Sequence, residues 1–217
     1  MYFCEDAELL AWEPGIFSDE GGGAFVHQAV IREAAGALTG TGLVMGSGVL
    51  GAVLPGMVMQ VSLADGTMSQ LTEVVSVEDS SHATISALRG RSTEAAVAPL
   101  VSGAVKVTVV TFRPQIAAVG DSLLELVGVS SGRGNEASPK FGGTAGFRAA
   151  AVFGTLAAVY RALAATENAS NIVLSKRAFY EGLAQASRQT ISALVDANGD
   201  GVPEKWVWGA VKELQRN

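Results

Sequence analysis

Apolar positions change their spacing twice along this chain, from helical to β and back to helical. Over residues 9–38 the spacing is mostly helical, with Ile16, Phe17, Phe25, Ala29 and Leu38 as core positions and the run Gly21-Gly22-Gly23 as a break, so two helical pieces are expected. From 41 to 111 the character is β: residues 57–63, 68–77, 83–87 and 105–111 are rich in Val, Thr, Ile and Met. Asp65-Gly66 between the first two runs reads as a tight hairpin turn. Val105, Val107 and Val109 alternate with Lys106, Thr108 and Val110, which predicts a small antiparallel sheet or barrel with one wet face.

Helical spacing returns after Phe112, where Ile116, Val119, Leu123, Leu126 and Val127 lead to a stop at Gly128. Residues 129–143 are polar and rich in Gly, Ser and Asn, the composition of a flexible loop. Two more helices are expected: 144–165, with Val152, Leu156, Val159 and Leu163 on one stripe, and 171–195, with Ile172, Phe179, Leu183, Ala186 and Thr190. The alanine-rich first of these allows close approach of its neighbours. The expected fold is α+β: mainly a helical bundle, formed by 1–41 and 111–217, with a small antiparallel β-subdomain inserted at 42–110. No internal repeat interrupts this order.

One stretch demands a separate decision. Residues 34–64 carry no charge and are long enough to cross a bilayer. Seven glycines (36, 40, 42, 46, 48, 51 and 56) and Pro55 interrupt them, and the bulky residues come in packets such as Leu43-Val44-Met45. A helix there would lose about 1 kcal/mol per interior glycine and about 3 for the proline, so short buried strands joined by glycine turns are expected and no membrane span. Acids at Glu5, Asp6 and Glu8 stand where a secretory signal would carry bases.

Composition narrows the function classes. A chain with 48% hydrophobic and 17% charged residues has enough apolar surface to fold, and its length suits one large domain or two small ones. A single cysteine excludes a scaffold stapled by internal disulfides. The net charge of −6 argues against gripping nucleic acid or anionic lipid.

The motifs with chemical meaning are few. Gly46-Ser47-Gly48-Val49-Leu50-Gly51 has the glycine spacing of a dinucleotide-binding turn, with Glu73 at a distance suited to a ribose contact. That turn requires a helix next, and Pro55-Gly56 allows no more than one turn, so a glycine-rich connection between strands is preferred. Gly128-Val129-Ser130-Ser131-Gly132 has nucleophile-elbow spacing, but it follows a helix, and both histidines, His27 and His82, precede the serines. His27 is expected on a helix surface, His82 in the turn Asp79-Ser80-Ser81-His82, and Cys4 at a frayed terminus. No acid, base and nucleophile combine, and no enzyme is expected.

Asp196-Ala197-Asn198-Gly199-Asp200-Gly201-Val202 repeats the first half of a calcium loop, with oxygen ligands Asp196, Asn198 and Asp200 at positions 1, 3 and 5 and glycine at 6. Its second half departs from the pattern, because Val207 replaces the bidentate glutamate and Pro203 follows at position 8. Both a weak calcium site and a metal-free Asx turn fit; the metal-free turn is preferred, and no other cofactor is expected. Beyond it, Trp206, Val207, Trp208 and Val211 place two of the three tryptophans near the chain end. They suit a docking tail or the subunit's own core.

Taken in order, these segments resemble the head-to-tail connector (adaptor) proteins of tailed bacteriophages and gene-transfer particles. The resemblance rests on the acidic start Asp6-Ala7-Glu8-Leu9-Leu10-Ala11-Trp12-Glu13-Pro14-Gly15-Ile16-Phe17, on Thr111-Phe112-Arg113-Pro114-Gln115-Ile116 opening a helix that ends Leu123-Leu124-Glu125-Leu126-Val127-Gly128, on the alanine-rich helix, and on 176–190 leading into the Asp196 turn. It implies a non-catalytic homo-oligomer, a dodecameric ring under the portal protein in the virion neck, built in the host cytoplasm. Helices would form its wall, 206–217 would dock into the portal, a stopper or tail-completion protein would bind the other side, and DNA would pass without specific binding. The β segment is larger than the family's smallest members need. A second class stays open: a calcium- or carbohydrate-binding module without catalytic activity.

Overall fold

The computed structural model describes residues 2–17, 27–128, 141–165, 169–196 and 202–209. They form two compact units, one of Glu5–Phe112 and one of Met1–Cys4 with Arg113–Asn217.

The first unit is a closed barrel of six antiparallel strands: β1 (Gln28–Thr39), β2 (Gly42–Met45), β3 (Val58–Leu63), β4 (Ser69–Val77), β5 (His82–Ser86) and β6 (Gly103–Thr111), in the order β1-β2-β5-β4-β3-β6. β6 closes it by pairing with β1 on one side and β3 on the other. The alternation expected in β6 appears as burial: Val105, Val107 and Val109 fill the barrel core with Leu38, Leu43, Met59, Val61 and Ile85. On the outside, Lys106 pairs with Glu33 at 3.2 Å and the Thr108 hydroxyl donates to the Arg32 carbonyl at 2.9 Å. The Asp65-Gly66 turn joins β3 to β4. Asp65 Oδ1 accepts from the Thr67 N–H and hydroxyl at 3.0 and 2.7 Å, and Gly66 takes φ +76°, a left-handed value that favours glycine.

The barrel corrects the expected fold class. Residues 28–39, read as helical, are its longest strand, and the molecule is not a mainly helical bundle with a β insert. Ala29, Ala34, Ala35 and Ala37 are strong helix formers, but intrinsic preference yields to pairing with strands on both sides. The two-residue period is hidden as well, because the register against β6 shifts between Ala29 and Ile31 and again between Ile31 and Ala34. Ala29 is exposed and Leu38 buried; Phe25 lies outside the described residues. The uncharged stretch 34–64 becomes the end of β1, β2, a 3-10 turn at Leu50–Ala52 and β3, the strands and turns that its glycines predicted.

A short helix, α1 (Asp6–Trp12), and a 3-10 turn (Pro14–Phe17) pack onto the same unit. Glu8 Oε2 accepts from the Glu5 N–H at 2.9 Å, which satisfies one free donor of the first turn. Asp6 is completely buried; its carboxylate accepts from the Thr111 hydroxyl at 2.5 Å and the Phe112 N–H at 2.8 Å. The Ala7 N–H donates to the Gly56 carbonyl at 3.0 Å, and Phe17 meets Phe112 edge-on at 5.1 Å. Leu9, Leu10, Ile16 and Phe17 are buried around these contacts.

The second unit holds three helices, α2 (Arg113–Leu126), α3 (Phe147–Ala164) and α4 (Asn171–Arg188), and a three-stranded antiparallel sheet of β7 (Phe141–Ala145), β8 (Ser192–Val195) and β9 (Lys205–Trp208) in chain order. The strands β7 and β8 occupy segments read as parts of helices and of the polar loop; residues 129–140 of that loop lie outside the described residues. α3 is the central helix and most of it is buried. At Gly154 an added Cβ would stand 2.8 Å from Val119 Cγ1, so only glycine lets α2 approach this closely. On the other side Tyr160 stacks on Tyr180 of α4, with centroids 5.5 Å apart. The Ser170 hydroxyl caps α4 by accepting from the Val173 N–H at 3.3 Å.

Asp6→Ala removes the buried acceptor of two donors and is expected to lower stability by about 3 kcal/mol, whereas Asp6→Asn, which keeps one amide oxygen, costs less. Urea unfolding of the three proteins measures this, and an alanine variant as stable as the parent would show that the carboxylate does not hold α1 to the barrel.

Candidate functional site

The residues singled out from sequence do not converge. The Gly46–Gly51 segment is followed by a single 3-10 turn and then β3, so no helix N-terminus is available to a pyrophosphate. Glu73 is buried on β4 and forms an ion pair with Arg89, whose Nη1 also donates to the carbonyls of Ser92 and Glu94 at 2.9 and 2.7 Å. That pair fastens the long β5–β6 connection to the barrel wall. Gly128 ends its helix with φ +73°, while Ser130 and Ser131 lie outside the described residues.

His27 sits in the bend before β1, not on a helix, with its ring edge-on to Phe112 at 6.0 Å. His82 Nδ1 lies 2.8 Å from Asp79 Oδ2 in an exposed turn. The Ser81 N–H, and then the His82 side chain, hold the Asp79 carboxyl below its ordinary range. Cys4, expected at a frayed end, is buried. Among the described residues no group of three or more His, Cys, Asp or Glu could hold a metal ion. Asp196 follows β8, but Asn198 and Asp200 lie outside the described residues.

The tryptophan segment is better defined. Trp206, Val207 and Trp208 belong to β9 and pair with Leu194, Ala193 and Ser192 of β8. The strand is therefore part of this chain's own sheet. Both indoles lie on its outer side, 51% and 57% exposed, while Val207 points the other way and is half-buried. Val211 lies outside the described residues.

A second exposed apolar surface lies on α4, whose apolar spacing the sequence shows. The helix buries Tyr180 and Ala184, whereas Ile172 is 69% and Phe179 57% exposed, with Ala186 also outside. The spacing of the stripe was legible; the side of the helix that faces the core was not.

Between α2 and α4, with α3 as its floor, runs an open cleft of about 500 Å³. Small residues shape it: Gly154, Ala157 and Ala158 on the floor and Ala118 on the α2 wall. From the α3 floor Arg161 donates to Glu181 Oε1 of the α4 wall from Nε and Nη2 at 3.1 and 3.0 Å, and Arg177 Nε adds a third bond at 3.2 Å. Arg161 first and then Arg177 hold the Glu181 carboxyl below the usual glutamate range. Nothing in the sequence announces the cleft except the glycine inside the alanine run. No protein-family model, curated protein or solved structure matches the chain.

Two outcomes follow from these surfaces. Because the Glu181 carboxyl titrates lower when folded than when unfolded, its contribution is fully present above the ordinary value of 4.5 and is lost as pH falls through the lowered one. Glu181→Gln should therefore flatten the acid limb of a stability–pH profile and leave its slope near neutrality unchanged. The double substitution Trp206→Ser/Trp208→Ser, confined to outward side chains, is expected to change unfolding free energy by no more than about 1 kcal/mol; a larger loss would place the indoles in the core.

Proposed function

We propose that the chain is a non-catalytic structural subunit that assembles with copies of itself into a ring joining the head and tail of a phage-like particle. The observation that carries this reading is the amount of apolar surface left uncovered on one unit: Ile172 and Phe179 on α4, Trp206 and Trp208 on β9. Bulky side chains at that exposure are costly in a lone soluble subunit and are what an assembled one covers.

The order of the helices supports the same reading. α2 opens at Arg113-Pro114-Gln115-Ile116, the alanine-rich α3 follows, and α4 leads toward the Asp196 turn, which is the order on which the likeness to connector proteins rests. In such a ring the β9 indoles face the portal protein, the stopper or tail-completion protein binds elsewhere, and DNA passes through a wall whose net charge of −6 per subunit does not retain phosphate. The barrel is an addition that the likeness does not account for.

The test is association with the portal protein encoded in the same genome. The full chain should co-purify with portal rings in several equal copies per ring, and Trp206→Ser/Trp208→Ser should abolish that association while remaining folded. A chain that stays free of the portal at every concentration would overturn the reading.

A further inference from the structure

We infer that two copies of this chain pair edge to edge through β9, antiparallel, about a two-fold axis at Val207. The contact goes beyond the ring reading, because it covers the β9 edge in the free protein, before any portal is met.

β9 is an outer strand. It has β8 on one side and, among the described residues, no backbone partner on the other. The alternation of an antiparallel ladder fixes which groups are left over. The Gly209 N–H donates to the Ile191 carbonyl at 3.1 Å, and two residues back along β9 Val207 stands opposite Ala193. Lys205, Val207 and Gly209 therefore turn their N–H and C=O groups toward β8, while Trp206 and Trp208 turn theirs to the open edge. No proline and no register shift interrupts that edge, so it is a template for another strand.

The strand that fits best is β9 of a second copy, because Trp206-Val207-Trp208 reads the same in both directions. With the axis at Val207, Trp206 of each copy stands opposite Trp208 of the other, and each such pair exchanges two hydrogen bonds between groups that already point outward. The side chains agree with the backbone. Both indoles of a copy are exposed on one face of β9, so the indoles of the two copies gather on one face of the joined sheet, where aromatic pairs across strands are stabilising. Charge agrees as well. Lys205 falls opposite Gly209 of the second copy, which sets the two lysines about 14 Å apart along the strands, so that like charges do not face each other. An axis moved to Trp206 or to Trp208 would pair one indole with its copy and leave the other without an aromatic partner.

Cysteine substitutions in the full chain read this register directly. The single native cysteine, Cys4, is buried and serves as background. At the axis, Val207 meets Val207 of the second copy as a non-hydrogen-bonded pair with Cα atoms about 4.5 Å apart, within reach of a disulfide. Under mild oxidation Val207→Cys should therefore give a cross-linked dimer. Trp206→Cys alone should not, since its copy lies a diagonal step away at about 7–8 Å. Trp206→Cys mixed with Trp208→Cys should give the heterodimer, which keeps one Trp206–Trp208 pair.

Amide exchange on the unsubstituted chain is a second measurement that requires no variant to fold. Trp206 and Trp208 N–H groups should gain protection as concentration rises, and Val207 should be protected throughout. Cross-linking by Trp206→Cys as fast as by Val207→Cys, or outward amides that stay unprotected at high concentration, would overturn the β9 pair and leave the ring reading standing. Protection of those amides in a chain that light scattering shows to be monomeric would also overturn it, by assigning the edge to the chain's own residues. Bound portal should end the cross-linking of Val207→Cys; cross-linking that persists on the portal would leave the pair standing and move the portal contact away from β9.

Discussion

The pairing of β6 with both β1 and β3 is the constraint on which the first unit depends. Without it the β1-β2-β5-β4-β3 sheet would have two open edges and an apolar face with nothing across from it. With it the sheet closes, and Val105, Val107 and Val109 enter the core. The same strand ends at the buried acceptor of Asp6, which receives Thr111 and Phe112 before the chain turns into α2. A carboxylate in so dry a place is tolerated because it accepts two hydrogen bonds and sits in the first turn of α1, where the free N–H groups favour negative charge.

The second unit obeys a different constraint, the small size of the residues along α3. Glycine and alanine bring α2 close, and they leave the cleft between α2 and α4 shallow in side chains and open in space. α4 then needs only one narrow side for its own packing, through Tyr180 and Ala184, and its richest apolar stripe is free to face outward. Ile172 and Phe179, turned away from that core, are the surface that the assembly proposed above would cover.

What the sequence disclosed depended on how local the signal was. The Asp65-Gly66 hairpin, the alternation of β6 and the glycine stop after α2 each depend on neighbours within a few residues, and each is found where the pattern put it. β1 was illegible because its alanines favour helix and two register shifts erase the alternation, while its stabilising partners are far away in the chain. For α4 the apolar period was legible as far as Arg188, but the face that packs inward was not, since a helical wheel ranks faces by hydrophobicity and not by what lies opposite. The tryptophan alternation around Val207 was readable, but that this strand would pair with residues 192–195, read as helix, was not. The ligand turn from Asp196 was legible as a motif, and two of its three candidate ligands, Asn198 and Asp200, lie outside the described residues.

The account stands or falls on whether the outward faces of α4 and β9 are covered in the working protein. The mass of the unmodified full chain in solution, followed by light scattering from low to high micromolar concentration, tests this most directly. A single closed species of several copies, formed cooperatively as concentration rises, is the predicted result. A monomer of 22.2 kDa throughout that range, with its α4 stripe open to solvent, would contradict it.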